Sequence, residues 1–99
     1  MNLIEYPKEG ILSKEIFKNN NADTTLFCLA SGAGMSEHTS TKEGFVYVLE
    51  GEGSFNLEGK NIKMKQGVFI YMNKNAVHSL KAKDKMAFLL TLINNLEVK

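Results

Sequence analysis

Apolar and polar positions alternate along most of this chain in short runs, with glycine or asparagine between one run and the next. Ile11 to Phe17 is the first predicted strand, and it ends in the turn cluster Asn19-Asn20-Asn21. Thr24 to Ala30 is the second, broken by Ser31-Gly32-Ala33-Gly34. Phe45 to Leu49 and Ser54 to Leu57 flank Glu50-Gly51-Glu52-Gly53, a turn whose glycines reach positive φ at little cost. Glu58-Gly59-Lys60-Asn61 closes the next hairpin and leads into Ile62-Lys63-Met64-Lys65, apolar and charged by turns like a half-exposed strand. Val68 to Met72, Ala76 to Leu80 and Met86 to Ile93 complete the series, separated by Asn73-Lys74-Asn75 and Lys83-Asp84-Lys85. No window keeps a helical period. Eight or nine short strands in one chain predict an all-β antiparallel barrel or sandwich.

Length and composition narrow this picture. The 99 residues suit a single domain over 1–99 with one core. The runs Leu26–Ala30 and Met86–Ile93 are apolar at both parities, so each needs cover on two faces. In so small a protein a second copy of the chain is the expected cover, which predicts a homodimer. Twelve basic residues, all lysine, oppose eleven acidic ones. That balance excludes a nucleic-acid partner, which calls for clustered Lys and Arg. No stretch is long enough to span a bilayer, and Met1 to Pro7 has no secretory pattern, so no membrane partner is expected. The single Cys28 lies in an apolar run, reads as a buried hydrophobe, and suits the cytoplasm. The lysines at 60, 63, 65, 74, 81, 83 and 85 read as solvated strand edges. Phe45, Tyr47, Phe69 and Tyr71 read as core and interface aromatics.

The candidate chemistry rests on two histidines, His38 and His78, each beside a glycine-framed hairpin. The segment from Gly32 to Gly51 places His38 six residues after the first glycine, with Ser40, Glu43 and Gly44 between His38 and the last. A second segment, 67–82, runs from Gly67 through Asn73, Asn75 and His78 to Ala82. These spacings resemble the two motifs of the cupin superfamily. The first is Gly, five residues, His, one, His, three or four, Glu, six, Gly. The second is Gly, five, Pro, one, Gly, two, His, three, Asn. Gly32, His38, Gly51, Gly67 and His78 match. Ser40 stands at the second His and Gly44 at the Glu, while Asn73, Asn75 and Ala82 replace Pro, Gly and Asn.

The resemblance implies a jelly-roll barrel whose interior pocket binds a small ligand, lined by His38, Ser40, Gly44, Val46, Val48 and His78. It also implies a divalent transition metal, Fe, Mn, Ni or Zn, held weakly if at all, because two of its four ligands are missing. His38, His78 and Glu43 are the metal-ligand candidates, and with all three the chain resembles a dioxygenase-like oxidoreductase, the alternative to a binding module. Parity opposes Glu43, which alternates with Gly44, Val46 and Val48, so a bulge before Gly44 is needed to turn it inward. Restoring the missing ligands, with His at 40 and Glu at 44, is expected to create a strong site. Ser40 as a nucleophile lacks a well-placed base and an orienting third group. Asn73 and Asn75 are expected to serve the turn before His78.

Overall fold

The protein is described by a computed structural model over residues 3–94. Period-two patterning over this range produces nine strands. They are β1 (Ile11–Lys18), β2 (Ala22–Leu29), β3 (Gly34–His38), β4 (Gly44–Glu50), β5 (Glu52–Leu57), β6 (Lys60–Lys65), β7 (Phe69–Met72), β8 (His78–Ala82) and β9 (Met86–Ile93). Five pair in the order β1-β2-β9-β4-β7 and four in the order β3-β8-β5-β6, all antiparallel. The predicted all-β jelly-roll architecture is what the chain forms. Among the described residues no helix is long and apolar enough to cross a membrane.

The turns follow from local chemistry. Glu58 (φ 51°) and Gly59 (φ 82°) both take positive φ between the paired residues Leu57 and Lys60, the geometry of a two-residue hairpin loop that matches strand twist. Asn75 (φ 64°) adopts the left-handed backbone expected of it, and its N–H donates to the Ser40 carbonyl at 2.7 Å. That bond ties the β7–β8 turn to the β3–β4 loop.

The main core lies between the two sheets. Leu29, Val46, Val48, Met86 and Phe88 from one meet Phe55, Leu80 and Ala82 from the other, with Met64 from β6, all buried. Each large side chain so buried contributes roughly 1.5–3 kcal/mol. A second cluster, Leu26, Cys28 and Ala87, occupies the outer face of β2 and β9. Its cover corrects the reasoning that called for a second subunit there. Ile4 and Tyr6 of the chain's own N-terminal segment pack on it, together with Leu12, Leu49 and Leu89. Tyr6 fastens that segment by donating its hydroxyl to Glu50 Oε2 at 2.6 Å. Desolvation and then the Glu50 carboxylate hold the Tyr6 phenol well above the ordinary tyrosine range.

The strand missing from the sequence reading is β3. Its residues Gly34 to His38 are mostly exposed and carry no β-branched side chain, so the pattern there is weak.

Candidate functional site

A bulge in β3 builds the site. Met35 pairs with Leu80 and His38 with His78, so three steps along β3 match two along β8. The extra residue shifts the parity and puts Met35 and His38 on the same inward face. His38 and His78 therefore meet across the ladder, ring centroids 4.2 Å apart at 62°. His78 is buried, with 7% of its surface exposed, while His38 is exposed at the rim. Phe55 lies flat against His78, with centroids 5.8 Å apart and planes within 6°.

The backbone fixes how each ring presents itself. His38 Nδ1 lies 2.6 Å from the Ser36 carbonyl oxygen, and His78 Nδ1 lies 2.9 Å from that of Ala76. A carbonyl oxygen only accepts, so each Nδ1 carries the proton. In the neutral rings both Nε2 atoms are then left with a free lone pair. Between the sheets is a cavity of about 20 Å³ lined by Met35, His38, Val46, Phe55, Met72, His78, Leu80, Phe88 and Leu90. It has room for one water or one ion. Apart from the two imidazoles its wall is apolar.

Three of the predicted lining positions, His38, Val46 and His78, fall on this cavity, and three do not. Ser40 follows the end of β3 in a loop, where its Oγ accepts from the Lys42 N–H at 3.1 Å. Val48 pairs with Phe88 and fills the core between the sheets. Gly44 faces inward but has no side chain, and its space is taken. A Cβ there would sit 3.0 Å from Leu92 Cδ2 and 3.3 Å from both Met72 Cε and the Thr91 carbonyl oxygen.

Glu43 is the clearest correction. The register Gly44 with Met72 and Phe45 with Tyr71 is regular, and β4 bulges only between Val48 and Glu50, so nothing turns Glu43 inward. Instead its Oε2 accepts a 2.6 Å hydrogen bond from the Tyr71 hydroxyl on the outer face. That bond, then desolvation, raises the Tyr71 phenol above its ordinary range. Among the described residues no three His, Cys, Asp or Glu side chains are grouped to hold a metal ion. Among the described residues the donor set for a tightly held divalent metal is not assembled.

Packing also changes what the restoring substitutions should do. Ser40→His places an imidazole on a loop, and Gly44→Glu forces a long side chain into occupied space. Overpacking of this kind typically costs about 1–3 kcal/mol. We expect the double variant to lose at least that much by urea unfolding, with no gain in Ni affinity by calorimetry.

Sequence reasoning missed Met35, Phe55, Met72, Leu80, Phe88 and Leu90 as cavity residues. Leu90 and Met72 could have been placed by parity, since they pair with Val46 and Gly44. Met35 could not, because only the bulge brings it inward. An open groove of about 360 Å³ lies elsewhere, on the outside of β5, β6 and β8. It is lined by Ser54, Lys63, Lys81, Lys83 and Glu52 among others, and no buried polar group converges on it.

Comparison with known proteins agrees with this geometry. The model of the cupin-domain family matches residues 25–93. A cupin superfamily protein from Desulfitobacterium hafniense superposes with a TM-score of 0.88 at 19% identity, over 94% of this chain and 85% of that one. A cupin 2 conserved barrel domain protein from Leptotrichia buccalis is 26% identical with a TM-score of 0.85, over 92% of this chain and 44% of that one. Salicylate 1,2-dioxygenase from Pseudoaminobacter salicylatoxidans has the same fold at 14% identity, TM-score 0.79, over 84% of this chain and 25% of that one. No curated protein matches the chain.

Proposed function

Because the chain belongs to the cupin family, we propose that it is a small-ligand-binding cupin whose recognition element is the His38–His78 pair at the rim of the barrel. One observation carries this reading. Both Nδ1 atoms are tied to backbone carbonyls, which leaves two Nε2 acceptors at the mouth of an otherwise apolar cavity. Such a site favours a ligand that offers one N–H or O–H donor, or a single ion, to the rings. The rest of an organic ligand rests outside, beside exposed His38 and half-buried Met35. A divalent ion held by two imidazoles keeps most of its water and is bound weakly. The dioxygenase-like alternative needs a third ligand, and Tyr71 engages the carboxylate that was to supply it. A cytoplasmic location is part of the proposal and agrees with the free, buried thiol of Cys28.

A panel of phenols and small amides, screened by NMR, tests the reading. Binders should shift the ring signals of His38 and His78 and be lost in His38→Phe. Binders that shift only the lysine groove of β5, β6 and β8 would overturn it.

We also propose a homodimer, on a motive different from the two-sided strands. Phe69 is 60% exposed on edge strand β7, beside exposed Tyr47 and Tyr71 and half-buried Phe45. Phe45 stacks with Phe69 at 5.4 Å and meets Tyr71 at 5.3 Å, a continuous aromatic row on the outer face. A second copy related by a two-fold axis can cover such a row with its own. Light scattering should give a dimer at micromolar concentration and a monomer for Phe69→Lys; a monomeric wild type contradicts it.

A further inference from the structure

The cavity that receives the two imidazoles is also lined by Met35 and Met72, whose sulfurs have no part in the reading above. We propose that this cavity is a site for one soft monovalent ion, Cu(I) or its analogue Ag(I), held by His38 Nε2, His78 Nε2 and the thioethers of Met35 and Met72. The inference rests on the His pair being the binding element. It departs from the divalent-ion set that the family motifs imply, which this chain does not assemble.

Four observations support it. The first is donor chemistry. Imidazole and thioether are neutral ligands of intermediate and soft character, a set that suits Cu(I) and is poor for Mg, Mn or Ca, and no oxygen ligand is at hand. The second is orientation. Each ring is fixed by its Nδ1–H bond to a carbonyl, the outer-shell arrangement that commonly aims a histidine ligand at a metal. A ring bound at ~2.0–2.1 Å through nitrogen has its centroid about 3 Å from the ion. Two rings with centroids 4.2 Å apart can share one ion on that geometry.

The third is size and charge. About 20 Å³ admits an ion without its water shell, and the apolar wall penalises a double charge far more than a single one. The fourth is freedom to adjust. Met72 is buried with its methyl near Gly44, and its unbranched thioether, with three rotatable bonds, adapts more readily than other buried side chains. Met35 is half buried beside exposed His38, which gives the ion a way in.

The full chain, titrated with Cu(I) under ascorbate against the chromogenic chelator bicinchoninate, tests this. We expect one equivalent to bind to the wild type. Met35→Leu/Met72→Leu, which nearly conserves volume, should weaken Cu(I) by at least roughly tenfold, since even outer-shell losses at metal sites cost 10–100-fold. Its weak Ni affinity should not change. Equal Cu(I) affinity in the two proteins, or Ni binding as tight as Cu(I) in the wild type, overturns the inference.

A second readout needs no variant. Ag(I) added to the wild type should shift both ring Nε2 signals and the methyl signals of Met35 and Met72. Shifted rings with unmoved methyls reject the thioether site and leave the His-pair reading standing. Unmoved rings reject the ion site, and the phenol and amide panel then decides the His-pair reading by itself.

Discussion

Gly51→Ala should cost more than about 4 kcal/mol, an exceptional loss for one methyl group. Gly51 has φ 91°, and an alanine in that region is strained by roughly 1–2 kcal/mol. The larger part is steric. A Cβ at 51 would overlap the Lys85 carbonyl oxygen and crowd Met86 Cα, which are backbone atoms at the start of β9. They cannot swing aside as a side chain would. The β4–β5 turn is held against this region by two bonds, because the N–H groups of Lys83 and Asp84 both donate to the Glu52 carbonyl. Gly59→Ala is the control, with φ 82° and nothing within 4 Å of its added Cβ. Urea unfolding should show a loss of about 1–2 kcal/mol for Gly59→Ala, from backbone strain alone. Total stability for a domain of this size is about 5–15 kcal/mol, so Gly51→Ala should remove a large share of it. Similar midpoints for the two variants would show that β9 yields easily.

The second large effect is at Phe55. Its ring is fully buried, packs flat on His78 and closes the inner side of the cavity. Phe55→Ala should cost about 3–5 kcal/mol, the range for an aromatic removed from a packed core. It should also enlarge the one-water space into a chamber that admits a benzene-sized molecule. Denaturant unfolding gives the first number, and benzene-induced shifts at Leu80 and His78 give the second. A loss below about 1 kcal/mol, or no benzene effect, would mean that the sheets close over the gap.

Much of the fold was legible because each strand but one carried either an alternating pattern or a run of strand formers bounded by turn residues. Met86–Ile93 and Phe45–Leu49 are dense in strong strand formers, and Gly51, Gly59 and Asn75 mark turns by backbone need. β3 was not legible. It has only Met35 as a large apolar residue, and its bulge breaks the alternation that would reveal it. That same bulge explains the mixed outcome at the site. The spacing of His38 and His78 was readable from the sequence. The place of Ser40 was not, because β3 stops at His38 and leaves Ser40 in a loop. The dependence of β2 and β9 on the N-terminal segment was equally hidden. Tyr6 and Glu50 are 44 residues apart, and neither is unusual in its own surroundings.

The most direct test of the His-pair reading is the tautomer of its two rings. Long-range ¹H–¹⁵N spectra of the wild type, with the imidazoles neutral, should show protonated Nδ1 and unprotonated Nε2 on both His38 and His78. Both Nε2 signals should then move together when a bound phenol or Ag(I) is added. A proton on Nε2 of either ring would contradict the reading, because that ring would present a donor where an open lone pair is required.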